Sequence, residues 1–415
     1  MTDTDRTTPM APDSLDAQDR PPPRRRLRGS PLRIVVLVLA AGFFCLPGVG
    51  YLLGVRAQQI ENRPLTTRPT ASEGWKIFPH LNAWTSDHLP FRDKAVRLNA
   101  DVDQGLFGAP PGQGTNGRSE VISGKDGWLF FTQDVDWACA PQQPTASTLR
   151  AADRLAKMVR ATGANYALFV PPDKTSIETA ELPSRYPGKA CSTAAKRDFW
   201  AQMASNPPDG YTDLYQRLQQ LRASRGAPIY RSKDSHWAPE SAGIYAQELA
   251  DAARRGLWQP QDLVPTGPQR ALGDLTRFTG IPGDNTFDGY ATRRPGVTSF
   301  PYEPGKVGTI GIATLRSSSA PAGAPLYTDQ ALLLGDSFSG ISEPQWTPYF
   351  SKLVSVSINA APKDPKDVAT MILSSKVVFV ESVERAFATG RAPLFTDAFL
   401  DKLQVELDKQ RAARP

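Results

Sequence analysis

Two short motifs hold the residue types of a serine nucleophile site. Gly335-Asp336-Ser337-Phe338-Ser339 supplies a hydroxyl, and Asp234-Ser235-His236-Trp237 supplies an imidazole with a carboxylate two residues before it. On an extended or tightly turned loop, Asp and His at that spacing lie side by side, so the carboxylate can hold one ring nitrogen while the other faces a serine. Ser337 is then the candidate nucleophile, His236 its base and Asp234 the carboxylate behind the base. Each motif alone has a plainer reading. Gly-Asp-Ser is ordinary turn and helix-cap chemistry, and a single histidine more often serves structure. The chain has only three histidines, however, and the other two, His80 and His88, fall in an aromatic stretch with no serine motif beside them. The two motifs together carry more weight than either one.

The elements around them must present these groups rigidly. Ala331-Leu332-Leu333-Leu334 reads as a buried strand that delivers Ser337 at its end, and Gly335 lets the chain turn sharply. Further strands are expected at Tyr166-Ala167-Leu168-Phe169-Val170, at Leu353-Val354-Ser355-Val356-Ser357 and at Val377-Val378-Phe379-Val380, with a hairpin around Gly124-Lys125-Asp126-Gly127. Helical patterns lie at residues 145–161, 214–224, 239–254 and 396–411, and a short strand at Pro228-Ile229-Tyr230 leads into the Asp-His motif. Helix alternating with strand, and strands apolar on consecutive residues, predict an α/β fold with a largely parallel sheet buried on both faces. Residues 257–329, dense in Gly, Pro, Thr and Arg, break the alternation and read as an insertion, a small β subdomain able to overhang the site.

The N-terminus has a different character. Residues 1–30 are polar and too poor in apolar surface to fold, and are expected to form a disordered cytoplasmic tail. Residues 34–55 carry no charged side chain, a length that as a helix spans a hydrocarbon core of roughly 30 Å. Arg20, Arg24, Arg25, Arg26, Arg28 and Arg33 precede that run, so the positive-inside rule places the N-terminus in the cytoplasm and the rest outside. These six arginines equal the formal net charge of +6, which leaves the remainder near neutral and argues against a nucleic-acid partner. A cleaved signal peptide is the competing reading, but Val55-Arg56-Ala57-Gln58 is not a small-x-small cleavage site. The expected organisation is a tail at 1–30, a transmembrane helix at 31–56, a linker and extension at 57–117, and a catalytic domain at 118–415.

In the exported part Cys139 and Cys191 suit a disulfide, whereas Cys45 lies in the apolar run. No metal is expected, because neither these cysteines nor His236 has further ligands at metal spacing. Lys174, after a strand end, is a candidate for an anionic substrate, with a solvated loop lysine as the alternative. Arg385, with Glu381 and Glu384, is a candidate for another rim, with a surface ion pair as the alternative. Trp237 is counted with the substrate-binding residues chiefly as the side chain that fixes the loop around His236.

The chain resembles the alginate O-acetyltransferase (AlgJ/AlgX-type) SGNH-hydrolase-like family. The likeness rests on the single N-terminal apolar segment and five motifs in the family's order: Asp87-His88-Leu89-Pro90-Phe91-Arg92, Gly124-Lys125-Asp126-Gly127-Trp128-Leu129-Phe130, Val170-Pro171-Pro172-Asp173-Lys174, Asp234-Ser235-His236-Trp237 and Gly335-Asp336-Ser337-Phe338. In ordinary SGNH esterases the serine block comes first and the Asp-x-x-His block last; here the order is reversed, as in that family. The resemblance implies a flavodoxin-like three-layer sandwich and an extracytoplasmic, membrane-anchored O-acetyltransferase that needs no cofactor. It implies an acetyl-Ser337 intermediate, a polysaccharide acceptor and a multi-pass membrane O-acyltransferase that supplies the acetyl group. An acetylesterase using the same residues and a non-catalytic glycan-binding scaffold are the rival readings.

Overall fold

The computed structural model describes residues 31–55, 66–88, 119–279, 283–300, 314–316, 318–320 and 325–413. The expected tail at 1–30, much of the linker at 57–117 and the middle of the insertion lie outside the described residues. The chain divides into two compact units, Met1–Arg92 and Asp93–Pro415.

In the first unit, Pro31–Leu52 forms a 22-residue helix. Its described apolar side chains, among them Ile34, Leu37, Val38 and Leu46, are exposed. Among the described residues no helix is long and apolar enough to cross a membrane, so the expected transmembrane span is not shown. A second helix, Ile77–His88, stacks Trp84 on His88, whose Nδ1 bonds the Trp84 carbonyl at 2.9 Å.

The second unit is built on a six-stranded sheet. In chain order its strands and those around it are β1 (Val121–Ser123), β2 (Leu129–Phe131), β3 (Asn165–Phe169), β4 (Tyr211–Thr212), β5 (Leu263–Leu272), β6 (Asp284–Thr292), β7 (Thr298–Ser299), β8 (Thr314–Arg316), β9 (Ser318–Ser319), β10 (Ala331–Gly335), β11 (Leu353–Ser357) and β12 (Val377–Glu381). The sheet runs β4-β3-β12-β10-β11-β8, with every neighbouring pair parallel except the β8 edge. Register sets Leu333 beside Phe379 and Leu334 beside Val380, so alternate residues face opposite sides. One face buries Leu332, Leu334, Val378 and Val380 under the helices Thr145–Arg160, Pro365–Ser374 and Asp397–Ala412. The other buries Leu333 and Phe379 under Trp237, Trp346 and the helix Pro239–Ala253. This is the three-layer α/β sandwich that the consecutive apolar runs predict.

Local sequence explains the helix ends. Pro239 opens its helix at a position where the lost N–H would have had no partner. Asp364 and Thr396 cap theirs by accepting the N–H of Asp367 and Phe399.

One expectation changes. Pro228-Ile229-Tyr230 is no sheet strand: an isolated bridge pairs Tyr230 with Trp237 and closes the Asp-His loop on itself. The helix Lys189–Ser205 and the short strand β4 carry little sequence signal, because Lys189 to Ser205 lacks a clear apolar stripe and β4 is two residues long. The insertion at 257–329 holds the long antiparallel hairpin β5–β6, whose β6 packs on the helix Pro239–Ala253.

Candidate active site

β10 ends at Gly335, and Ser337 starts the short helix Ser337–Ile341. Asp336 caps that helix: its Oδ1 accepts from the Phe338 N–H at 2.9 Å and its Oδ2 from the Val383 N–H at 2.9 Å. Gly335 is required here by close approach, since a Cβ at that position would lie 2.4 Å from Ser339 Oγ. Beneath the turn Glu381 is fully buried, and its Oε2 accepts from the N–H groups of Asp336 (2.8 Å) and Ser339 (3.3 Å) and from Ser339 Oγ (2.7 Å). Burial, and then the negative charge of Asp336, push the Glu381 carboxyl well above the usual carboxylate range. Among the described residues the N–H of Ser337 is left without a partner at the exposed first turn, open to an oxyanion.

The structure brings Ser337, His236 and Asp234 into one hydrogen-bonded line. His236 Nε2 lies 2.9 Å from Ser337 Oγ, and His236 Nδ1 lies 2.7 Å from Asp234 Oδ1. The same Asp234 oxygen accepts the His236 backbone N–H at 2.9 Å, which is why a two-residue spacing suffices. Burial alone would raise the Asp234 carboxyl. The hydrogen bond and charge of His236, its backbone N–H and the Arg231 guanidinium outweigh burial and hold the carboxyl at about 2. Phe338 packs 5.0 Å from the imidazole. Trp237 is fully buried, stands edge-on to Phe338 and donates its Nε1–H to Ser342 Oγ at 2.9 Å. It fixes the loop and is not among the residues lining the cleft beside Ser337.

A further carboxylate, Asp274, stands behind the ring with Oδ2 3.7 Å from His236 Nδ1. Asp234, His236 and Asp274 offer ligand-type atoms within 4.8 Å of one another. Both imidazole nitrogens and both Asp274 oxygens are engaged in hydrogen bonds, so the group is a hydrogen-bonded line and does not fit a metal centre.

Lys174 does not face substrate. It is 1 % exposed, and its Nζ donates to the carbonyls of Leu129, Arg231, Ser232 and Asp234 at 2.6–3.0 Å. It ties the β1–β2 hairpin to the Asp-His loop. Burial draws its ammonium down to about 7 against the pull of Asp234 and Asp274.

The surface ion pair offered as the alternative at Glu384 and Arg385 does not form: Glu384 is buried, Arg385 is partly buried, and each bonds elsewhere. Arg385 Nη1 bonds Asp173 Oδ1 at 2.9 Å and lies 3.5 Å from Asp134, while Lys196 bonds the other Asp173 oxygen at 2.9 Å and reaches Glu384. Burial, then the Asp173 charge, push the Asp134 carboxyl up to about 7. Cys139 and Cys191 are joined, and this bond links the helix Gln133–Cys139, which carries Asp134, to the helix Lys189–Ser205, which carries Lys196.

Arg385 also borders a cleft of about 570 Å³ that opens beside Ser337, with Gln133, Trp137, Asn359 and Arg391 on its other walls. None of these four was singled out by sequence. Asn359, exposed two residues beyond β11, had a signal in its place at a strand end.

The family model for the SGNH hydrolase-like domain of acetyltransferase AlgX matches residues 121–367. The chain belongs to that family. The match spans Asp234, His236 and Ser337, whereas Arg385 and Arg391 lie beyond it. The chain is similar to the probable alginate O-acetylase AlgJ of Pseudomonas syringae pv. tomato, 26% identical over 76% of this chain and 74% of that one. It is 25% identical to the AlgJ of Pseudomonas putida, over 73% of this chain and 74% of the other. Among solved structures, the O-acetyltransferase domain of Pseudomonas putida AlgJ superposes with a TM-score of 0.46 at 18% identity, covering 68% of this chain and 98% of that one. The α/β sheet and the order Asp-x-His before Ser are thus features this AlgX-family chain carries in its own sequence and fold.

Proposed function

We propose that this chain is an O-acetyltransferase that moves acetyl groups onto hydroxyls of an extracytoplasmic polysaccharide through an acetyl-Ser337 intermediate. The observation that carries the reading is the line Asp234–His236–Ser337, with an exposed hydroxyl 2.9 Å from the imidazole at the mouth of a cleft. His236 Nε2 takes the Ser337 proton as Oγ attacks the donor's acetyl carbonyl, and the Ser337 N–H receives the developing oxyanion. Asp234 keeps its charge and steadies the imidazolium, which returns the proton to the leaving group. A sugar hydroxyl then enters, His236 removes its proton, and attack on the acetyl-serine carbonyl releases the acetylated glycan and free Ser337.

Membership of an acetyltransferase family supports transfer over hydrolysis, and the AlgJ relatives, named alginate O-acetylases, support a polysaccharide acceptor. The uncharged run at 34–55 and the exposed apolar side chains of the helix Pro31–Leu52 support a membrane anchor with the N-terminus in the cytoplasm. A multi-pass membrane O-acyltransferase is the partner that such a site needs for an acetyl supply.

The test incubates the full chain with an acetyl ester, with and without an oligosaccharide, and reads acetylated sugar by mass spectrometry. Acetyl gained by the sugar at the expense of free acetate supports transfer. Acetate release indifferent to the sugar leaves an esterase, and no turnover of the ester leaves a scaffold.

A further inference from the structure

The Gly/Pro-rich insertion reaches the loop that carries His236. Its hairpin is fastened to the backbone of the loop that carries His236. The Ser235 N–H donates to Asp274 Oδ1 at 2.7 Å and Ser235 Oγ donates to Asp274 Oδ2 at 2.6 Å. In return the Asp274 N–H donates to Asp234 Oδ2 at 3.4 Å, and the Leu275 N–H donates to the Lys233 carbonyl at 3.3 Å. One residue back, a Cβ on Gly273 would lie 1.9 Å from that same Lys233 oxygen, so the two backbones touch where only glycine fits. On the β6 side, Asn285, which is fully buried, accepts from the Lys233 N–H and from Ser232 Oγ. Residues 232–235 are thus gripped from one side by the insertion and from below by Lys174.

We propose that Asp274 is a positioning residue of the Ser337 site: it fixes the Asp234–His236 loop through Ser235 and sets a second negative charge behind the His236 ring. This rests on the reading of Ser337 as nucleophile and His236 as its base. The bonds to Ser235 limit how far the loop can swing, which keeps Nε2 within reach of Ser337 Oγ. The Asp274 carboxylate, 3.7 Å from Nδ1, favours the imidazolium that forms when the serine proton is taken. The charged groups around the ring are Asp234 and Arg231 from its own loop, Asp274 from the insertion, Lys174 from the segment after β3, and Asp336 and Arg385 on the Phe338 side.

The experiment uses a sulfonyl fluoride, which labels an activated serine without any acetyl donor: Ser337 Oγ bonds to sulfur, fluoride leaves, and His236 takes the proton. Labelling rates of the full chain are read by mass spectrometry from pH 5 to pH 9. In Asp274→Asn the amide oxygen still accepts from Ser235 but the charge is gone. The acid limb of the profile should move to lower pH by roughly one unit, and the plateau rate should fall severalfold, because a weaker base removes the proton less well. Asp274→Ala loses the grip as well, and labelling should fall by about a further tenfold, with Asp274→Glu restoring part of it. An Asp274→Asn profile superimposable on that of the natural chain overturns the inference, even if Asp274→Ala fails to fold. Absence of labelling in the natural chain would instead remove the reading of Ser337 as nucleophile, and the role of Asp274 with it.

Discussion

Two clusters of charge flank Ser337, and they are built on opposite principles. On one side Asp234 and His236 form an open line that ends on an exposed hydroxyl. On the other, Asp134, Asp173 and Glu384, all nearly fully buried, are closed against Lys196 and Arg385, whose side chains are 12 % and 10 % exposed. The first presents the Ser337 hydroxyl to the cleft; the second uses its charges on one another and offers the cleft only the flank of Arg385. The lesson is that charge density does not mark the reacting atoms. The buried cluster is the richer in ionisable groups, yet its task is to hold the helix Gln133–Cys139 and the turn after β12 as a fixed wall.

The largest effect expected from breaking this contrast is at the open line. Ser337→Ala should lower acetyl transfer by about three to four orders of magnitude while leaving the melting temperature close to that of the natural chain, since Ser337 is exposed and, among the described residues, its hydroxyl bonds only His236. Activity retained in a folded Ser337→Ala chain would end the distinction. Arg385→Ala should do the reverse. It leaves Asp173 and Asp134 short of a counter-charge and should destabilise the fold by about 3–5 kcal/mol in denaturant titrations.

Opening the Cys139–Cys191 bond should act on the same side with a somewhat smaller effect. The bond spans 52 residues and ties the Asp134 helix to the Lys196 helix, so the Cys139→Ser/Cys191→Ser pair should cost about 2–4 kcal/mol. Sulfonyl labelling of Ser337 at temperatures where that variant is folded should stay near the natural rate; a large fall would show that the two clusters are coupled.

The smallest effect is on pH dependence. Asp134 has a folded-state pKa of about 7 against an ordinary 3.8, so between those values the folded chain holds a proton that the unfolded chain has released. Stability from this acid is full below about pH 4 and drains as pH rises through about 7. Asp134→Asn removes the drain, so the ratio of melting temperatures at pH 8 and pH 5 should move in favour of pH 8. No change in that ratio would mean that Arg385 keeps Asp134 ionised throughout.

The open line could be read from the chain because each of its parts has a local signal. Ser337 follows four apolar residues and a glycine, and Asp234 and His236 sit close enough in sequence to meet on one loop. Lys174 shows where such reading fails. A lysine after a strand end has the same neighbours in sequence whether it faces solvent or four carbonyls, and it faces the carbonyls. Asp274 and Asn285 were invisible for a related reason: they belong to a stretch with no periodicity and act on a loop about 40 and 50 residues earlier in the chain.

The sequence by itself determined the α/β class, the strand that delivers Ser337, and the Asp-x-His pairing, because apolar periodicity and short-range spacing are properties of neighbouring residues. Only the tertiary structure decided which charges reach the cleft and which are closed off inside. Burial and counter-charge depend on residues brought together from distant parts of the chain, as Arg385 is with Asp134 and as Asp274 is with Ser235.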